Sequence, residues 1–173
     1  MPNESAQQTV FLSYAHADQA QAQRLANVLQ RSGLTVWWDA LIEGGSSYAT
    51  TIKDALAAAD AVIVLWSRQS VESDWVRDEA AQGRDRRRLV PLSLDGTPPP
   101  LGFGQIQMID ISRWNGRSTA PLFQSIQRAL ATAMSGAAPA PPTAIGAPVT
   151  RRKSLLLGGG AIAALAGGGA LAA

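Results

Sequence analysis

The sequence predicts an α/β fold: a flavodoxin-like five-stranded parallel sheet with helices on both faces. Three observations lead there. Five short runs rich in Val, Ile, Leu and aromatics recur between residues 9 and 134. Amphipathic stretches with apolar residues at helical spacing lie between most of them. Strands that alternate with helices favour a parallel sheet, because each crossover returns the chain to the edge from which it started.

The first strand is Val10–Tyr14. In the stretch that follows, Asp18–Arg31, residues Ala22, Leu25, Val28 and Leu29 share one helical face. Asp18 can cap the start of this helix, and Gly33 stands just past its end. Thr35–Trp38 is the second strand, and Ser47–Ala59 the second helix, with Ile52, Ala55, Leu56 and Ala59 inward. Ala61–Leu65 is the third strand, and a shorter helix is expected over Asp74–Gln82. Leu89–Leu94 and Met108–Ile111 complete the strands. The last helix spans Thr119–Met134, with Leu122, Ile126 and Leu130 at helical spacing. In the flavodoxin-like order the first and third strands are neighbours, and ligands sit beyond the carboxyl ends of the strands. That rule points to Tyr14–His16, Asp39–Tyr48 and Ser67–Glu79.

Composition narrows the chemistry. The 173 residues suffice for one domain with a core and a tail. Cysteine is absent, which excludes a disulfide framework and a thiolate metal site. With His16 the single histidine, a multi-His metal centre or a His-based triad has no material, and no metal is expected. Through Met134 there are 12 Lys and Arg against 13 Asp and Glu, a net of −1. The surplus that makes the whole chain +2 comes from Arg151, Arg152 and Lys153, so no nucleic-acid partner is expected.

The chain divides into four parts. Residues 1–8 are polar and expected to be flexible. Residues 9–134 form the α/β domain. Residues 135–150 are a linker, with Pro139, Pro141, Pro142 and Pro148 among Ala, Gly, Ser and Thr. Residues 151–173 open on the basic triplet and continue as Leu155–Ala173, 19 residues without a charge. Such a run is close to the roughly 20 residues that cross a bilayer, and it predicts a transmembrane helix. The triplet on its amino side predicts a cytoplasmic domain anchored to the membrane by that single span. A disordered Gly/Ala tail is the alternative.

Function must be read from the site, since this architecture hosts several. A phosphoacceptor receiver needs acids just after the first strand and an Asp ending the third; here those positions read Ser13-Tyr14-Ala15-His16 and Leu65-Trp66-Ser67. A flavodoxin needs a Ser/Thr/Gly phosphate loop, which Tyr14–Asp18 does not supply. No GxGxxG or Walker lysine motif is present, and Gly44-Gly45 alone marks a turn.

The remaining residues resemble the Toll/interleukin-1 receptor (TIR) domain family. Val10-Phe11-Leu12-Ser13-Tyr14 is similar to its opening strand and Ser-Tyr signature, and Val36-Trp37-Trp38-Asp39 to its second strand ending in Asp. Ile42–Tyr48 resembles the mobile loop after that strand. Ile63-Val64-Leu65, followed by Ser67, Ser70, Ser73, Trp75 and Glu79, resembles its third strand and catalytic segment. Val90-Pro91-Leu92 and Asp110–Trp114 also fit. Some members are adaptors that bind other TIR domains. Others, bacterial ones among them, cleave NAD+ and carry a Trp followed four residues later by a Glu, here Trp75 and Glu79.

The resemblance implies that Glu79 is catalytic. Tyr14, Ala15, His16, Asp39, Glu43, Tyr48, Ser67 and Trp75 then stand at nucleotide-binding positions, with NAD+ as substrate and no cofactor. Ala15 and His16 depart from the arginines that some NAD-cleaving members place there. Four apart on a helix, Trp75 and Glu79 share a face. The bland alternatives are a core aromatic for Trp75 and a solvated helix acid for Glu79. Arg84, Arg86, Arg87 and Arg88 read as a solvated basic face, with a phosphate or partner contact as the other reading. Two functions follow: an NAD+ nucleosidase in signalling or defence that works by self-association, or a non-catalytic, membrane-tethered TIR adaptor.

Overall fold

The computed structural model describes residues 7–38 and 46–136, all within one unit, Met1–Pro142. Strands β1 (Thr9–Ser13), β2 (Thr35–Trp37), β3 (Ala61–Trp66), β4 (Leu89–Ser93) and β5 (Ile109–Asp110) form a single sheet in the order β2-β1-β3-β4-β5. Every pairing is parallel. This is the predicted flavodoxin-like order, with β1 and β3 adjacent and Ser13 paired with Val64. Helices α1 (Gln19–Arg31) and α4 (Pro121–Met134) cover one face, over a core that includes Leu12, Leu25, Ile63, Leu92 and Ile126. Helices α2 (Ser46–Ala58) and α3 (Asp74–Asp85) cover the other, over Phe11, Leu56, Val64, Trp66 and Val76. All six residues of β3 are buried, as a central parallel strand requires.

Helix ends follow local chemistry. Helix α1 stops as expected at Gly33, whose φ of +91° lets its N–H reach the carbonyl of Gln30 while the Leu34 N–H reaches Leu29. Helix α3 closes in the same way, but Arg87 holds the left-handed position at φ +57°, with its N–H on Arg84 and that of Arg88 on Gly83. Helix α4 begins at Pro121 rather than Thr119, because proline suits the first helical turn. Strand β5 is shorter than Met108–Ile111: the Asp110 carboxylate accepts the Ser112 N–H and turns the chain away.

Helix α3 runs past the expected Gln82 to Asp85 and so contains Gly83. It is the point of closest approach to the sheet, since a Cβ there would lie 2.9 Å from Val62 Cβ. Gly83→Ala therefore exchanges a helix-propensity gain of about 1 kcal/mol for a clash that costs about 1–3 kcal/mol. A lower melting temperature is expected in a thermal scan, and a raised one would contradict the close packing.

Arg86 and Arg87 of the arginine cluster are exposed, as a solvated face requires, but two of its members also do structural work. Arg86 donates to the carbonyls of Leu56 and Ala57 at 2.7 and 2.6 Å, and Arg88 to that of Ala59 at 2.8 Å. Both close the carboxyl end of α2, whose last turn has no basic residue of its own. Arg84 lies over the Phe103 ring and donates to the Gly102 carbonyl.

Residues 1–6 of the predicted flexible amino terminus, residues 137–150 of the linker and the predicted transmembrane segment lie outside the described residues, as do Asp39 and Glu43. Among the described residues no helix is long and apolar enough to cross a membrane.

Candidate active site

A cleft of about 150 Å³ opens at the carboxyl end of the sheet, where β1 and β3 part to opposite directions of winding. Leu12, Ser13 and Tyr14 line it from β1 and the residue beyond, His16 from the following turn, and Trp37 from β2. Ile52 of α2 and the α3 pair Trp75 and Glu79 complete the wall. Phe11 stacks on Trp37 at 5.1 Å between ring centroids, 12° from parallel, and this pair forms the apolar floor.

The packing of α3 places the carboxylate. Ser73 caps the helix, its side chain accepting the Val76 N–H, which fixes the helical phase. With that phase Val76, Glu79, Ala80 and Gly83 form the inward stripe. Small residues at 80 and 83 let the helix settle onto β3, and Glu79 is carried down to the end of β1. Its side chain is only 7% exposed, and the Ser13 hydroxyl donates to Oε2 at 2.6 Å. Burial pushes the Glu79 carboxyl up to about 7, against hydrogen bonds from Ser13 and Trp75 that pull it down. Glu79 is therefore not the solvated helix acid of the bland reading. Trp75 is not a core aromatic either: it is 48% exposed and stands as a wall at the mouth of the cleft.

Of the other residues singled out from the sequence, Tyr14 and His16 line the cleft. Tyr48 falls in the first turn of α2. Ala15 is not among the cleft residues; its carbonyl accepts the Asp18 N–H at 2.8 Å and starts a 3-10 turn, His16–Asp18. Ser67 is also outside the cleft lining, and its hydroxyl is occupied. It donates to the buried Asp18 carboxylate at 2.5 Å and accepts the N–H groups of Gln69 and Ser70. Asp18 for its part makes no side-chain cap to α1, because its carboxylate turns inward to Ser67. Burial raises its pKa, which Ser67 opposes. This bond ties the turn after β1 to the turn after β3 and so braces the cleft from behind.

Sequence reasoning missed Ser13, Trp37 and Ile52 as cleft residues. The available signal was position: Ser13 is the last residue of β1, and Trp37 the last of β2. Among the described residues there is no cluster of three acids or histidines that could hold a metal ion. A larger groove of about 530 Å³ lies at the opposite end of the sheet between α4 and the start of β4, but its lining includes no carboxylate.

The fold and the cleft define a doubly wound α/β domain with a buried carboxylate at its switch point. The sequence matches the TIR domain family over residues 10–127, and the chain belongs to that family. The TIR domain of the Toll-related receptor TRR-2 from Hydra magnipapillata superimposes with a TM-score of 0.59 at 18% identity, covering 70% of this chain and 97% of that one. A TIR-STING receptor from C. gigas, solved in complex with 2',3'-cGAMP, gives a TM-score of 0.51 at 24% identity, covering 68% of this chain and 38% of the receptor. At these identities the likeness is one of fold. A search of curated proteins finds no match.

Proposed function

We propose that this TIR domain cleaves NAD+ to nicotinamide and ADP-ribose, linear or cyclic, with Glu79 as the catalytic carboxylate. The observation that carries the reading is a buried glutamate at the bottom of an aromatic-walled cleft at the switch point, where burial raises its pKa. Buried acids usually have a cation beside them; among the described residues neither Asp18 nor Glu79 has an ion pair, and of the two only Glu79 lines the cleft. Carboxyl groups tuned toward neutrality cluster at functional sites.

The chemistry suits one carboxylate. The nicotinamide nitrogen is positively charged while bound to the ribose, so it departs with the bonding electron pair as a neutral molecule and needs no acid. Positive charge then develops on the ribose C1′ and ring oxygen, and an ionised Glu79 beside it stabilises that charge in a dry site. Water, or a nitrogen of the substrate's own adenine, adds to C1′ and gives up a proton where one is present. A cavity of about 150 Å³ takes a single six-membered ring. Nicotinamide fits that description, between the Phe11–Trp37 stack and Trp75. The rest of the dinucleotide would then pass outward by Tyr14 and His16.

In this reading, copies of the domain associate through the segment Asp39–Tyr48, and residues 151–173 tether them to a membrane, where confinement raises their effective concentration. The test is nicotinamide release on incubating the purified full chain with NAD+ over a range of protein concentrations. Release is expected, with specific activity rising as the protein is concentrated. No release at the highest concentration would favour the adaptor reading, which the absence of arginine at Ala15 and His16 keeps in view.

Trp75→Ala is a second check. Because the ring is half exposed, its loss is expected to leave the melting temperature within a few degrees of wild type. Nicotinamide release should nonetheless fall by roughly tenfold or more, as a truncated wall admits water and loosens the ring. Unchanged release from a folded variant would remove Trp75 from the site.

A further inference from the structure

We propose that the end of the domain at which the strands begin docks on an anionic lipid surface, turning the cleft away from the bilayer; the proposal rests on the membrane-tethered reading. Topology sorts the charges of this domain between its two ends. The carboxyl ends of α1 and α3, and the turns after them, lie where the strands begin. They place Arg31 on one face of the sheet, and Arg84, Arg86, Arg87 and Arg88 on the other, at the same end of the domain. The acids at this end are Asp60, whose carboxylate accepts the Thr9 N–H at 2.8 Å, and Asp85, paired with Arg84 at 2.9 Å. Among the described residues Arg31 and Arg87 have no ion pair, and both are exposed.

At the opposite end, around the cleft, the balance reverses. There Glu72, Asp74, Asp78, Asp95 and Asp110 outnumber Arg68, Arg77, Arg113 and Arg117. A domain that is nearly neutral as a whole thus carries its positive excess at one end. Near a negatively charged surface such a body orients with its basic end inward.

The route of the chain agrees with that orientation. Helix α4 ends at the basic end, since Thr132 and Ala133 line one groove together with Arg87 and Leu89. The polypeptide therefore leaves the domain from the same end, and the next charges in sequence are Arg151, Arg152 and Lys153. Docked in this way, the cleft opens toward solvent and stays accessible to substrate and to neighbouring copies.

The chain has no cysteine, so a single fluorophore can be placed without removing any. Donors at Gln30→Cys, on the basic end, and at Ser118→Cys, near the start of α4, report the distance of each end from an acceptor on lipid headgroups. Both positions are exposed. The full chain is studied with vesicles of phosphatidylcholine alone and with 30 mol% phosphatidylglycerol, a composition on the order of that of an anionic leaflet. Expected is stronger transfer from position 30 than from 118 on the anionic vesicles only, lost at about 0.5 M salt, where screening shortens to a few ångströms.

The double variant Arg31→Ala, Arg87→Gly should lose the same difference, since each surface arginine changes lipid association by about fivefold. Its fold is protected, because both side chains are exposed and glycine suits the φ of +57° at position 87. Equal transfer from both ends on anionic vesicles overturns docking. Association with both vesicle types but no end-to-end difference overturns docking and leaves the tether standing. No association with either overturns both.

Discussion

Glu79→Gln is expected to abolish nicotinamide release while making the protein more stable above neutral pH. The two effects share one cause. Folding raises the Glu79 pKa from 4.5 to about 7, because burial disfavours the charged form. Below pH 4.5 both folded and unfolded chains hold the proton, and the stability associated with the neutral side chain is fully present. As pH rises toward 7 the unfolded chain releases the proton first, and that stability is progressively lost. By pH 8 the loss amounts to about 3 kcal/mol, at roughly 1.4 kcal/mol per pH unit. Glutamine stays neutral throughout and keeps an acceptor for the Ser13 hydroxyl. Denaturant melts should therefore show the variant more stable than wild type by about 3 kcal/mol at pH 8, with the gap nearly closed at pH 4.5. Activity should fall by roughly a hundred- to a thousandfold, the usual size of a lost electrostatic contact to a transition state. A stability gap that does not change with pH would mean that Glu79 is ionised at no cost.

Ser13→Ala is expected to shift the pH dependence of turnover rather than abolish it. The Ser13 hydroxyl donates to Glu79 at 2.6 Å and favours the charged form that the chemistry needs. A hydrogen bond to a charged group contributes about 1.5–3 kcal/mol, so its removal should raise the acid limb of kcat by about one pH unit or more. Release near pH 7 would fall several-fold and recover as the pH is raised, with KM little changed. Ser13→Thr, which retains the hydroxyl, should keep the wild-type profile. An alanine variant whose profile overlays wild type would reduce Ser13 to a packing residue.

The architecture was legible because it depends on long, redundant patterns. The apolar stripe Ala22–Leu29 and the run Ala61–Leu65 each decide an element several times over, and Gly33 ended α1 where a left-handed residue was expected. The site was legible in kind but not in environment. Spacing put Trp75 and Glu79 on one face of a helix, but it could not say that the face turns inward at 79 and outward at 75. That depends on how closely α3 approaches β3, and the contact between Gly83 and Val62 that sets it joins residues 21 apart in sequence. Asp18 read as a cap because the partner that withdraws it, Ser67, lies 49 residues away. Arg86 and Arg88 read as a surface cluster because the carbonyls they satisfy belong to α2. In each case local chemistry was read correctly, and a tertiary hydrogen bond or close contact redirected it.

We infer that the buried Glu79 carboxylate drives cleavage of the nicotinamide–ribose bond in this cleft. Its most direct test is nicotinamide release from NAD+ by wild type and Glu79→Gln, measured side by side at high protein concentration and pH 8, with both proteins shown to be folded by thermal melt. Release by wild type, and its loss in a variant at least as stable, is the predicted result. Equal release from both would rule out Glu79 as the catalytic carboxylate.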